Sequence, residues 1–409
     1  MEREKLLERL ASLTVKVGAN VQKGQTAIIY AQVECANIVR RIAEQCWLAG
    51  AAEVFTFYDD EVCDRLRYQH GALENLLKVP QWLVDRRMNY PKGEACYIYI
   101  EGDDPDAFAG LDTNKIGKAE NAKKVAMKPF HDVIDRNENQ WTIVPCATAA
   151  WAKKLFPAET TEKAVAKLWD AIAITMRLDT PDPVAAWAEH SRDTAAHSAF
   201  LNDSGIKSLE FKSGLGTDLS VELAEGYIWC GGASETVTGT QFQANMPTEE
   251  VFSMPHKNKV NGKVVSSLPL IYQGTTIENF SFTFKDGLVT DYTAEKGLDT
   301  LTNMLDVEGG RRLGEVALVP YSSPIRRSGV LFMSTLFDEN ASCHLALGSA
   351  YTDNMQDCLT LTKEQRAQRG FNESISHVDF MFGTADLSVV GIKPDGSRIT
   401  IFANGEWAE

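Results

Sequence analysis

The feature that most constrains the fold is a change of period part-way along the chain. Up to about residue 200, short apolar runs alternate with segments of helical spacing; from Leu209 onward, apolar and polar residues alternate with period two. In the first part, Thr26-Ala-Ile-Ile-Tyr30, Val54-Phe-Thr-Phe57, Cys96-Tyr-Ile-Tyr-Ile100 and Trp141-Thr-Ile-Val144 are strand-length runs, each followed by residues able to form a helix. Ile38, Ile42 and Cys46 give the first such helix its buried stripe, and Gly50 closes it. Strands that alternate with helices pair in parallel, because the chain must cross back over the sheet before pairing again. An α/β N-terminal domain is therefore expected over residues 1–190.

A chain of 409 residues exceeds what one core ordinarily serves, so a second domain is expected over residues 191–409. Val165, Leu168, Trp169 and Ile172 predict a helix over 160–176, Pro181 and Pro183 interrupt it, and a further helix over 184–201 holds the boundary. Leu209-Glu-Phe-Lys212, Leu219-Ser-Val-Glu-Leu223 and Phe280-Ser-Phe-Thr-Phe284 then alternate as strands. Asn261-Gly262, Asp286-Gly287 and Asp395-Gly396 read as hairpin turns between such strands. With helices near 298–305 and 363–369, the second domain is expected to be α+β with a mainly antiparallel sheet.

Composition excludes several alternatives. A net charge of −15 with no basic stripe argues against nucleic acid as partner. No apolar run is long enough to span a membrane, and the opening Met-Glu-Arg-Glu-Lys has no apolar core of the kind a secretion signal needs. Eight cysteines without a CxxC pair fit a reducing cytoplasm better than a disulfide scaffold. Gly214-Leu-Gly216 lacks the third glycine of a dinucleotide fingerprint and reads as a tight turn. There is no P-loop, HExxH helix or GxSxG elbow. His190 and His197 lie seven apart on one predicted helix and receive no role.

Four segments place chemistry in the second half. Ser376-His-Val-Asp-Phe-Met-Phe382 alternates, so His377 and Asp379 project from one face of a strand and can grip one divalent ion. Leu313-Gly-Glu-Val-Ala-Leu-Val319 is an apolar strand with one carboxylate, and a buried Glu315 needs a cation: either a metal or Arg311 or Arg312 nearby. Asn245-Met-Pro-Thr-Glu-Glu-Val-Phe-Ser-Met-Pro255 carries Glu249 and Glu250, which point to opposite faces of an extended segment, so that one of them reaches a given site. His344 and Tyr351, seven residues apart in Cys343-His-Leu-Ala-Leu-Gly-Ser-Ala-Tyr351, share a face if that segment is helical.

Asn245-Met-Pro-Thr-Glu-Glu-Val-Phe, Leu313-Gly-Glu-Val-Ala-Leu-Val-Pro, Leu336-Phe-Asp-Glu-Asn-Ala-Ser-Cys-His-Leu-Ala-Leu-Gly and His377-Val-Asp-Phe-Met together resemble the aminopeptidase T and aminopeptidase S family of bacterial metalloaminopeptidases. The resemblance implies a peptidase that removes N-terminal residues from peptides with a free N-terminus, using a water activated by two divalent ions, Zn, Co or Mn, with Mg less suited to imidazole. It implies Glu250 and His344 as ligands of the first ion, Glu315 as the bridge, His377 and Asp379 as ligands of the second, and Tyr351 beside the cluster. The choice between Glu249 and Glu250 stays open, and the one that is not a ligand is the candidate general base. A homodimer is also implied. The rival from the same ligand chemistry is a two-metal phosphoesterase, for which Arg311, Arg312, Arg326 and Arg327 would supply phosphate contacts.

Overall fold

The computed structural model describes residues 2–88, 90, 92–272 and 275–408. The chain divides into two compact units, Met1–Glu189 with Ala233–Pro247, and His190–Gly232 with Thr248–Glu409. The boundary falls inside the helix Pro183–Asp203. The return of Ala233–Pro247 to the first unit is a detail that a single cut in the sequence does not describe.

In the first unit four strands form a parallel sheet in the order Glu53–Asp59, Thr26–Gln32, Ala95–Glu101, Gln140–Pro145. Its central strands are apolar on both faces, as parallel strands covered by helices must be: Ile28, Ile29, Tyr97 and Ile98 are all buried. The helix Ala36–Leu48 buries Ile38, Val39, Ile42 and Cys46. It stops where Gly50, at φ +91°, and Ala51 return their N–H groups to Trp47 and Cys46. The helix Thr161–Thr175 starts at Thr160, whose hydroxyl accepts the Lys163 N–H.

The second unit contains two large antiparallel sheets beside a two-stranded one, Leu270–Tyr272 with Thr275–Ile277. The larger has eight strands in the order Leu288–Thr293, Ser281–Lys285, Pro255–Val265, Asp218–Leu223, Ser208–Lys212, Ser388–Ile392, Arg398–Ala403, Glu406–Trp407. The smaller has five, in the order His377–Met381, His344–Gly348, Leu313–Leu318, Val251–Ser253, Cys230–Gly231. Phe282 of the larger and Phe380 of the smaller meet edge to face at 5.0 Å within one core. Val316, Leu318, Leu345 and Leu347 join that core from the smaller sheet. Each such side chain, fully withdrawn from water, contributes on the order of 1.5–3 kcal/mol. The opposite face of the same strands is therefore the one left for polar groups.

One turn expected from the sequence is not a turn. Asn261 and Gly262 lie within the strand Pro255–Val265. Gly262 is needed there because a Cβ would come within 2.2 Å of the Asp218 carbonyl oxygen, at a φ of +114°. Asn261 instead turns its Oδ1 to the Asp286 N–H, supporting the adjacent Asp286-Gly287 turn, where both residues have positive φ.

Candidate metal centre

The register of the five-stranded sheet sets the site. Glu315 pairs with Ala346, which pairs with Asp379; one row along, Ala317 pairs with His344 and His344 with Met381; Gly348 pairs with His377. Paired residues share a face, as do residues two apart, so Glu315, His344, His377 and Asp379 all project from the side opposite the apolar core. The segment bearing His344 is thus a strand, His344–Gly348, and not the helix that the spacing to Tyr351 suggested. Five consecutive buried residues, His344–Gly348, do not separate the two by periodicity, and strand pairing on both sides decides it. Tyr351 reaches the cluster from the loop after the strand, with its ring 4.5 Å from that of His377.

Glu250 completes the group from the chain just before Val251–Ser253. Its Oε2 lies 3.0 Å from His344 Nε2. Glu315 is shared: Oε1 is 3.3 Å from His344 Nε2, and Oε2 is 3.5 Å from His377 Nε2. His377 Nε2 is also 3.3 Å from Asp379 Oδ1. Two sets with ligand atoms close enough for one ion each result, Glu250, Glu315 and His344, and Glu315, His377 and Asp379, with Glu315 common to both.

Both imidazoles are oriented by the backbone. His344 Nδ1 donates to the Ser342 carbonyl at 3.2 Å, and His377 Nδ1 donates to the Ser349 carbonyl at 2.7 Å. Each therefore turns Nε2 inward, the arrangement in which a histidine offers a lone pair to a cation. Asp379 Oδ1 is buried without a hydrogen bond. Neither arginine that could have neutralised Glu315 does so: Arg311 pairs with Asp306 at 2.8 Å, and Arg312 donates to the Lys257 carbonyl and to Asn258 Oδ1. Buried carboxylates, inward Nε2 atoms and an orphaned oxygen fit divalent cations.

The electrostatics follow from that crowding. Burial raises the pKa of Glu315, against the pull of His344 and His377. Burial also lowers that of His377, but Asp379 and Glu315 outweigh it and lift the group to about 9. His344 is driven well up by Glu250 and Glu315 in the same way, against burial. Asp379 is pushed up by burial and then held below the ordinary carboxylate range by the two imidazoles. The Tyr351 phenol is raised by its surroundings and by Glu315 and Asp379, which keeps it a proton donor at neutral pH.

Two acidic residues changed place relative to expectation. Glu249 is buried, but its Oε2 lies 3.7 Å from His190 Nε2, and its N–H donates to Asn340 Oδ1 at 2.7 Å; it belongs to neither ligand set. Glu339, which sequence reasoning passed over, stands at the cluster instead. Burial first, then Asp379 and Glu250, push its pKa well up. It sits on a short 3-10 turn, Glu339–Ala341, where no periodicity marks a side chain as inward.

The comparisons with known proteins cover nearly the whole chain. The model of a family described as thermophilic metalloprotease (M29) matches residues 3–407. Aminopeptidase 2 of Geobacillus stearothermophilus is 42% identical over 406 residues, 99% of this chain and 98% of its own. Aminopeptidase T of Thermus thermophilus is 42% identical over 402 residues, 98% of each chain. The solved structure of wild-type AmpT from Thermus thermophilus superposes with a TM-score of 0.94 at 40% identity, covering 99% of this chain and all of that one.

Proposed function

The chain belongs to the thermophilic metalloprotease family M29, and on that premise we propose that it is a metal-dependent aminopeptidase whose two-ion centre is built by Glu250, Glu315, His344, His377 and Asp379. The observation that carries the assignment is the division of the Glu315 carboxylate, one oxygen toward each histidine. Glu250 and His344 would hold one ion, His377 and Asp379 the other, and Glu315, common to both sets, would serve each. A mixed nitrogen and oxygen donor set suits Zn, Co or Mn better than Mg. Bound there, the ions supply Lewis acidity that polarises the scissile carbonyl and makes a water acidic enough to lose its proton near neutral pH.

The protein's own groups do the rest. Tyr351, a phenol that stays protonated, donates a hydrogen bond to the carbonyl oxygen as charge builds on it. Glu339 holds the proton that passes from water to the departing amine, the task the sequence offered to Glu249. His190 and Asn340 occupy Glu249, and through it they fix the backbone that presents Glu250. The same reading takes the protein as a cytoplasmic homodimer acting on peptides with a free N-terminus. Unbridged cysteines fit that compartment, and no described helix is long and apolar enough to cross a membrane. The phosphoesterase alternative has the family match and the aminopeptidase relatives against it, and two of its four arginines, Arg311 and Arg312, are engaged elsewhere.

The test is hydrolysis of matched unblocked and N-acetylated peptides, with metal analysis before and after chelation. Cleavage of the unblocked peptide alone, lost with the metal and restored by it, is the expected result. Equal cleavage of both peptides overturns the aminopeptidase assignment.

A further inference from the structure

We propose that Phe252 forms the wall of the pocket that receives the first side chain of the substrate, and that this pocket selects apolar side chains. The inference rests on the aminopeptidase assignment and adds to it the substrate class.

The register of the small sheet places Cys230 opposite Phe252, Phe252 opposite Ala317, and Ala317 opposite His344. These four residues form one row across adjacent strands, so Phe252 and Cys230 project from the face that carries the metal ligands. Their neighbours in sequence, Trp229 and Val251, face the other way and are buried in the core. Phe252 is therefore not a core residue of that sheet. Its ring remains half-buried on the polar face, a position a large aromatic side chain does not take for packing within the core.

The Phe252 ring stands between Tyr351 and Cys230, with the Asn354 amide donating to the Phe252 carbonyl. The Phe252 and Tyr351 rings meet edge to face at 6.2 Å, and Tyr351 in turn lies against His377. Tyr351 is 47% exposed, so the wall the two rings form is open to a ligand. Beyond Phe252 comes the half-buried thiol of Cys230, whose proton is directed at the Asp353 carbonyl. In the row, Ala317, with its single methyl group, stands between Phe252 and His344. Neighbouring strands are about 4.8 Å apart, so Phe252 lies roughly 10 Å from His344 along the row, backbone to backbone.

A peptide whose first carbonyl lies at the cluster has its first Cα one bond away, and the side chain on that carbon must go to one side or the other. On the side of Cys230 and Phe252 it meets aromatic and thiol surface. A leucine or phenylalanine side chain gains by leaving water there, whereas alanine or glycine is too short to reach the ring. Discrimination by such a surface is of the order of 10- to 100-fold.

The experiment compares kcat and KM for amides of Phe, Leu, Ala and Gly with the metal-loaded wild type, Phe252→Ala and Phe252→Leu. Metal content is measured on each protein, and Phe252→Leu is the milder change should the alanine variant fold poorly. The expected result is a fall of about 10- to 100-fold in kcat/KM for the Phe and Leu amides, carried mainly by KM, with the Ala and Gly amides within about threefold of wild type. An equal fall for all four amides, carried by kcat, means that Phe252 only supports Tyr351 and overturns the pocket. Unchanged ratios in both variants overturn it as well. Failure of the wild type to cleave any unblocked amide overturns the aminopeptidase assignment and the pocket with it, which separates the two failures.

Discussion

Glu315 and Asp379 stand two strands apart in one register row, each directly opposite Ala346 on the strand between them. Ala346 is completely buried, and its single methyl group is what allows the two carboxylates to close over the strand toward the same histidine. The small side chain is thus part of the geometry of the centre even though it offers no ligand.

Replacing it tests that dependence. Ala346→Leu places a branched side chain between Glu315 and Asp379 and should lower metal affinity by about 10- to 100-fold, with an overpacking cost of roughly 1–3 kcal/mol. Metal titration of the folded variant decides the matter, and wild-type affinity would show that the row does not set the distance between the carboxylates.

Tyr351→Phe removes a donor without removing a ligand. Loss of one such hydrogen bond costs about 2.7–4 kcal/mol in the transition state, a fall in kcat of the order of 100- to 1000-fold. Metal content should stay at the wild-type value. A variant that loses its metal instead would assign Tyr351 to holding the centre and not to the reaction.

Glu339 and Glu249 exchange expectations. Glu339→Gln should lower kcat by about 100- to 10,000-fold with metal retained. Glu249→Gln should act through the placement of Glu250 and appear as weakened metal binding that added metal rescues. If excess metal restores Glu339→Gln, or fails to restore Glu249→Gln, the roles are the reverse of those given above.

The metal-free protein should show a distinctive response to pH. His377 titrates near 9 in the folded chain against an ordinary value of 6.5, because Asp379 and Glu315 outweigh burial. A raised histidine stabilises the fold fully below about pH 6.5 and loses that contribution as pH rises through about 9. A metal ion requires the neutral imidazole, so binding at about pH 7 must expel a proton. Chelated protein should therefore lose stability between those two pH values. The heat of metal binding should vary with the ionisation enthalpy of the buffer. A heat independent of buffer would contradict the raised value.

Much of this centre can be read in the sequence where a strand is unambiguous. His377 and Asp379 two apart, and one carboxylate inside Leu313-Gly-Glu-Val-Ala-Leu, announce themselves through period-two alternation and the cost of an unpaired buried charge. His344 is legible as a residue but not as a position, because Leu345-Ala-Leu-Gly suits a strand or a helix equally. Glu249 and Glu250 differ only in which way an extended segment faces, and the contact that holds the Glu249 N–H comes from the Asn340 side chain, 91 residues further on, where no local pattern announces it. Glu339 leaves no trace, since a single turn of 3-10 helix imposes no repeat. Asn261-Gly262 misleads for a related reason: glycine serves close backbone approach as readily as it serves a turn.

The carbonyl groups that orient the two histidines belong to Ser342 and Ser349, the residues flanking the strand His344–Gly348. One short strand thus sets the tautomer of both imidazoles, one from each of its ends. Fraying of residues 342–349 would release the two rings together, so the two ligand sets share a single opening event. Protection of those amides against hydrogen exchange and retention of bound metal should then rise and fall as one quantity.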